Sequence, residues 1–479
     1  MLSRGIINKV VVIFFQGLAL LTLPLISKYI GSEQYGIWSI VYGMMQMLVP
    51  IFVLQLDSAF TRFISGESSF NKRKNIFFSI ILFLLLPLGV LSISFYCLDS
   101  YISQLMFASV EFVKFVYIVL GWVSVRVLSS FSRNYFRTIG KFRVDTVFAV
   151  LQQIVLIGSV IFIVFGKGEI YFLFTLILLA ETVLLILLII LILKDLSLDN
   201  IKIRIPKKYF IYAIPLIPTM ILSWVINYSD QLMIVHYSSL EENARYALYY
   251  TYSRIPHWII VTPLNYALLP FLSKFKYDGE SVAVVNDYVK ESINVSFILI
   301  SILMVGLVFY ASEILYILSN EKVNMESVNL VLIIALSVFA TAFYQIVFHI
   351  LSLKNETGQL IFIFGFGAIV NLVLNIYLIP YYGIIGAALS TLVSFFAVGV
   401  LTARASNITL KDLFYRKTLV FILLVITSCY LVKIMVFTNL FILATVSVVL
   451  VIVYSWFIYR FFHSYYLVVV NNIQRIMKA

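Results

Sequence analysis

Long apolar runs separated by short polar loops fill the chain from one end to the other. A helix needs about 20 apolar residues to cross the hydrocarbon core of a bilayer, and about fourteen runs meet that length. Their limits fall near 10–29, 36–61, 75–97, 110–132, 144–165, 170–193, 209–236, 246–271, 292–311, 328–350, 360–380, 382–403, 418–437 and 439–460. No stretch shows the short alternation of apolar and polar residues that transmembrane strands require. The pattern predicts an all-α polytopic membrane protein of about fourteen transmembrane helices. The pairs meeting near Gly166, Tyr381 and Thr438 are predicted as tight hairpins.

Composition agrees. The 479 residues are 62% hydrophobic and 12% charged, whereas soluble domains are about half apolar and a quarter charged. The net charge of +12 raises nucleic-acid binding, but the basic residues are scattered through short loops, which excludes that class. Cys97 and Cys429 both lie in apolar runs and imply neither a disulfide framework nor a metal site. Arg4 and Lys9 precede the first run without a small-residue cleavage site after it, so that run is expected to be retained as a helix. With the N-terminus in the cytoplasm and the spans alternating, basic residues divide roughly 26 to 4 in favour of the inside. One helix more or fewer would invert the later loops and destroy this bias, so both termini are predicted to be cytoplasmic.

The most charged linker, 194–208, separates an N-terminal lobe (1–193, helices 1–6) from a C-terminal lobe (209–403, helices 7–12). Residues 404–479 then hold two additional helices and a cytoplasmic tail. A weak internal repeat supports the division. "YGIWSIVYGMMQMLVPIF" (35–52) echoes "YALYYTYSRIPHWIIVTPLN" (246–265), and 137–168 echoes 352–383. Repeats of this kind are the common build of secondary transporters.

Ionisable side chains at mid-bilayer cost about 2.5–3.5 kcal/mol, so they face protein or water and are often functional. Asp230 and Arg254 lie at matching depths on consecutive predicted helices, with His257 one turn from Arg254. Two readings are open for them: a structural ion pair, or a cationic contact for an anion beside a carboxylate that binds H⁺ or Na⁺. Asp57 and Arg62 lie near the inner end of the second span, where Arg62 could also snorkel to the headgroups. Arg126 is deep in the fourth span, with Arg133 and Arg137 nearer the interface. Gln345 and His349 are one turn apart. Glu181, Glu313 and Lys433 are assigned to span ends. Asn371 and Asn375 share a face with Gly367, and Gly386, Ser390 and Ser394 form a small-residue stripe. For the two asparagines, hydrogen bonding between helices and contact with a sugar are both open. Pro215 and Pro218 mark a kink. No nucleotide-binding, zinc-hydrolase or serine-hydrolase signature occurs, so no catalytic residue, metal or other cofactor is expected.

Three stretches carry a resemblance: "KYIGSEQYGIWSI" (28–40), "NYSDQLMIVHYSSLEENARYALYY" (227–250) and "NLVLNIYLIPYYGIIGAALSTLVS" (371–394). The chain resembles the bacterial Wzx-type polysaccharide flippases, which move O-antigen (lipopolysaccharide) and capsule units and share a superfamily with the lipid II flippase and the multidrug extruders. It departs from that pattern at Ala244-Arg245-Tyr246, where the family has Gly-x-Tyr, and in its two extra C-terminal helices. The resemblance implies a V-shaped pair of lobes, as in the multidrug extruders, in the bacterial cytoplasmic (inner) membrane. It implies translocation of undecaprenyl-diphosphate-linked oligosaccharide by alternating access, in contact with membrane lipids and other polysaccharide-assembly proteins. Arg62, Arg126 and Arg254 are then candidates for the diphosphate. Asn371, Asn375, Gln345 and His349 are candidates for the sugar, and Asp230 and Asp57 for coupling to an H⁺ or Na⁺ gradient.

Three rivals are weighed. A cation-coupled drug or metabolite antiporter of the same superfamily needs a buried carboxylate but not several cavity arginines. A membrane glycan polymerase or ligase needs a long external catalytic loop, and the longest loops here are only about 20 residues. A purely structural subunit leaves the intramembrane polar groups without a purpose.

Overall fold

In the computed structural model, the described residues are 11–19, 24–65, 69–166, 168–196, 201–265, 282–319, 325–354, 358–408 and 413–435, with isolated positions between and beyond them. They are almost wholly helical. In chain order the main helices are α1 (Val11–Tyr29), α2 (Ser32–Phe52), α3 (Leu56–Ile64), α4 (Phe70–Cys97), α5 (Asp99–Phe107), α6 (Val113–Thr138), α7 (Phe142–Gly166) and α8 (Ile170–Asp195). There follow α9 (Lys207–Ala213), α10 (Ile217–Tyr237), α11 (Leu240–Ser253), α12 (Val282–Phe309), α13 (Ala311–Ser319), α14 (Met325–Lys354), α15 (Gln359–Ala405) and α16 (Arg416–Met435). Among the described residues, ten helices are long and apolar enough to cross a membrane. The fold is the expected all-α polytopic one, because a bilayer offers backbone groups no partners and only internally bonded helices satisfy them along an apolar run. Each predicted span up to 418–437 has a helical counterpart. The span 439–460 lies mostly outside the described residues.

The helices differ from uniform spans at four places. The predicted span 36–61 is two helices, because Pro50 removes a backbone donor near the end of α2. The chain then turns through Leu54 (φ 56°) and Gln55 (φ 52°), both left-handed, before α3 begins. Left-handed backbone costs about 1–2 kcal/mol for each residue that is not glycine. At Pro215 a 3₁₀ turn, Ile214–Leu216, interrupts the next span between α9 and α10, which is the kink the two prolines predict. A π-helical turn, His257–Val261, follows Pro256. The hairpin near Tyr381 is a bend inside α15 at Gly383 (φ 54°, ψ −135°). Past that bend, a Cβ on Gly386 would run into the Leu378 carbonyl and sit 3.0 Å from the Ile379 nitrogen, so only glycine fits.

The described residues form two compact units. One comprises those of Asn8–Leu248 and Gly358–Ser394, the other those of Tyr249–Thr357 and Phe395–Ala479. In the first unit the core includes a buried aromatic cluster in which Trp38 stacks on Phe174 (5.1 Å, 6°) and Trp122 tilts against both. In the second, Phe297 meets Phe339 edge-on at 5.1 Å, and the Tyr344 ring stacks on Phe395 at 5.8 Å. Cys97 is exposed and Cys429 buried; both are free thiols.

Candidate functional site

The polar groups that the apolar helices carry inward gather into clusters within each unit. In the first unit Asp230 on α10 is fully buried. Its carboxyl accepts hydrogen bonds from the Tyr246 hydroxyl and, at 3.3 Å, from the Thr391 hydroxyl. Asp230 and Arg254 lie at matching depths in the sequence; in the structure the Asp230 carboxyl is held by two hydroxyls of its own unit. Tyr246 belongs to Ala244-Arg245-Tyr246, which lies within the first two turns of α11, and Ala244 and Tyr246 are both buried there. The start of α11 is fixed from the α2 side as well. Asn243 donates to the Ser39 hydroxyl at 2.7 Å, and a Cβ on Gly36 would collide with the Leu240 carbonyl. Ser229, the residue before Asp230 on α10, donates to the Asn371 side-chain oxygen at 3.0 Å, and Asn375 donates to that same oxygen at 3.1 Å. Both asparagines are fully buried, and Asn371 Nδ2 and Asn375 Oδ1 have no hydrogen-bond partner among the described residues. Ser390 and Ser394 return their hydroxyls to carbonyls of their own helix.

A second cluster in this unit is built on α6. The Arg126 guanidinium ion-pairs with Glu181 of α8, which also accepts from Trp122 Nε1 at 3.2 Å. Glu181 is fully buried, not at a span end as its assignment had it. Its place was legible: it is near the middle of the 26-residue helix Ile170–Asp195, about 17 Å from one end and about 21 Å from the other at 1.5 Å per residue. Arg126 is likewise near the middle of α6, and its Nε has no partner among the described residues. Further along α6, Ser129 accepts from Gln152 (3.0 Å), and Arg133 and Arg137 lie 3.9 and 3.8 Å from Asp145. Asn134 ties α6 to α3 by donating to the Asp57 carbonyl (2.7 Å) and the Thr61 hydroxyl (3.0 Å), while Asp57 Oδ1 is buried without a partner among the described residues. Arg62 is exposed, and its guanidinium lies 4.5 Å from the Tyr212 ring centroid. Arg62 and Arg126 thus have separate partners and form no common cation pair in this structure.

In the second unit Arg254 donates to the Tyr250 hydroxyl and lies 5.1 and 6.0 Å from the ring centroids of Tyr250 and Phe395. Gln345 and His349 are brought together by a residue that sequence inspection missed. Asn265 donates to Gln345 Oε1 at 2.6 Å, and its own oxygen is 3.1 Å from His349 Nε2. That oxygen can only accept, so Nε2 carries the proton and His349 Nδ1 is left as a buried acceptor with no partner among the described residues. Gln345 also donates to the Tyr344 hydroxyl at 3.3 Å. No grouping of His, Cys, Asp and Glu that could hold a metal ion occurs among the described residues.

The chain was then compared with known proteins. A family model described as "Polysaccharide biosynthesis protein" matches residues 2–276. No curated protein matches the chain. Among solved structures, the lipid II flippase MurJ in an inward closed conformation is similar at 18% identity and a TM-score of 0.73, over 95% of this chain and 99% of that one. An inward-facing multidrug resistance MATE family transporter of the MOP superfamily is similar at 14% identity and a TM-score of 0.67, over 82% of this chain and 94% of that one. A MOP superfamily transporter from Pyrococcus furiosus gives 12% identity and a TM-score of 0.63, over 85% and 95%. With more than half of its residues matched, the chain belongs to the polysaccharide biosynthesis protein family, and its fold is the one that MurJ and the MATE transporters share.

Proposed function

We propose that this protein is a flippase, not an enzyme, that moves a polyprenyl-diphosphate-linked oligosaccharide, such as an O-antigen or capsule repeat unit on undecaprenyl diphosphate, across the bacterial cytoplasmic membrane. The observation that carries this reading is a polysaccharide biosynthesis chain whose fold follows a lipid II flippase over 95% of its length. The two lobes, 1–193 and 209–403, would rock against each other around the substrate, with both termini in the cytoplasm and helices beyond 404 as an addition.

A diphosphate leaving water needs cations, and guanidinium groups suit it because they make paired hydrogen bonds. Arg62, Arg126 and Arg254 are the groups proposed for it. Arg62 is the most available, being exposed and held only by ring contacts. Arg126 must exchange Glu181 for phosphate, and Arg254 must turn from Tyr250. Asn371, Asn375, Gln345 and His349 are proposed for the sugar. Each asparagine has an unused polar atom, and His349 has an unused Nδ1. Asp230 and Asp57 are proposed for H⁺ or Na⁺, an ion that drives transport only if the two states bind it unequally.

The second reading is a cation-coupled drug or metabolite antiporter, favoured by the fully buried Asp230 between two hydroxyls. Depletion in cells separates the two. Loss of a flippase stalls surface glycan and accumulates lipid-linked oligosaccharide in the cytoplasmic leaflet. An unchanged lipid-linked pool together with raised drug sensitivity would reject the flippase.

A further inference from the structure

Away from the buried clusters, the first unit holds a cavity of about 560 Å³ walled by three segments around 29–37, 111–115 and 168–171. The basic-residue distribution independently assigns the loops of all three segments to the external face, and they meet at one end of the unit. The volume is in the range of small-molecule sites, about 300–1,000 Å³.

The lining has a specific character. Tyr29 and Tyr171 contribute rings that are 56% and 40% exposed. Glu111 and Glu169 bring two exposed carboxylates and Gln34 an amide, and none of these three side chains has an ion-pair or hydrogen-bond partner among the described residues. Lys114 does not neutralise either glutamate; its ammonium sits 5.4 Å from the Phe115 ring centroid and 5.5 Å from that of Tyr171. Glu169 is also the N-cap residue of α8, where the helix favours negative charge.

These features discriminate among ligands. An anion such as a phosphate would meet two carboxylates. An organic cation would meet the like charge of the Lys114 ammonium beside the Phe115 and Tyr171 rings. A purely apolar molecule would strip water from both glutamates, with nothing to replace it. A neutral sugar satisfies every group: its C–H faces lie on tyrosine rings, whose faces are the negative part of the π-system, and its hydroxyls donate to carboxylate and amide oxygens.

We propose that this cavity is a saccharide-binding subsite on the external face, with Tyr29 and Tyr171 as stacking platforms and Glu111, Glu169 and Gln34 as hydroxyl acceptors. It is separate from the groups proposed above for diphosphate and sugar. It rests on the orientation that the basic residues give, and on the flippase reading only for its purpose, which is to receive the glycan as it emerges.

The test uses the full-length protein in lipid nanodiscs and saturation-transfer NMR with free glucose, galactose, N-acetylglucosamine and glucuronic acid at millimolar concentration. At least one neutral sugar is expected to show transfer, and Tyr171→Ala and Glu169→Gln are each expected to weaken its binding at least about tenfold, with helix content unchanged. Three results would overturn the proposal: no transfer from any neutral sugar, transfer unaffected by either variant, or preferential binding of tetraphenylphosphonium that the same variants abolish. Lipid-linked glycan translocation by the same variants separates the two readings. Sugar binding without any translocation by the parent protein would remove the flippase reading and leave this site standing.

Discussion

Replacing Arg126 and replacing Glu181 should have unequal effects, and the inequality decides what Arg126 is for. Glu181 is fully buried, while the Arg126 side chain keeps 19% of its exposure. In Arg126→Met, Glu181 stays buried with only the Trp122 indole N–H to support it. Breaking a buried pair by removing one partner costs about 3–5 kcal/mol. In Glu181→Leu, Arg126 loses a charged hydrogen bond, worth about 1.5–3 kcal/mol, but keeps a route to water and the Trp122 ring 5.8 Å away. The double variant removes both charges and should be as stable as the parent or nearly so. Unfolding of the detergent-solubilised protein by heat or denaturant measures all four members of the cycle. Equal losses in the two single variants, or losses that simply add in the double, would refute the paired arrangement. Translocation measured on the stable double variant then isolates chemistry from folding. A stable double variant that cannot transport assigns Arg126 to the substrate, and one that transports normally makes the pair structural. Arg126→Ala alone cannot make that distinction, because its transport would fail for either reason.

Three further outcomes are expected. Tyr246→Phe removes a donor from the buried Asp230 and should cost about 1–3 kcal/mol in unfolding measurements, more than Thr391→Val, whose bond is the longer one at 3.3 Å; the reverse order would contradict the cluster. Gly386→Ala and Gly36→Ala each drive a Cβ into a backbone carbonyl and should cost at least about 1–3 kcal/mol, whereas Gly89→Ala, with nothing within 4 Å, should behave as the parent in thermal unfolding and membrane yield. Asn265→Leu strands both Gln345 Oε1 and His349 Nε2 and should destabilise by about 2 kcal/mol or more, while His349→Gln, which keeps a donor, should cost less; equal costs in the same assay would refute the shared hub.

The span pattern was legible because a bilayer leaves an apolar run few options besides a helix, and the kink at Pro215 follows from the ring itself. The break at Leu54 and Gln55 was not legible, since both residues prefer right-handed or extended backbone and only surrounding structure holds them otherwise. Buried polar groups were found by type but not by partner. Thr391 reaches Asp230 across 161 residues of sequence, and Asn265 reaches Gln345 across 80; nothing local in the chain records such meetings. Glu181 was within reach of sequence reasoning, because it lies 11 residues from one end and 12 from the other of the predicted span 170–193. Ala244-Arg245-Tyr246 looked like the loss of a family glycine, whereas it lies inside α11 and its tyrosine donates to Asp230.

The central claim is translocation of a lipid-linked saccharide, and reconstitution measures it directly. Purified protein in liposomes would be given a polyprenyl-diphosphate oligosaccharide, and the glycan reaching the opposite leaflet would be read by an impermeant lectin. The account predicts transfer well above that of protein-free liposomes, reduced in Arg62→Ala and Arg254→Ala variants that remain folded. Transfer equal to that of protein-free liposomes, with the same preparation exchanging a cationic drug for H⁺ or Na⁺, would contradict it.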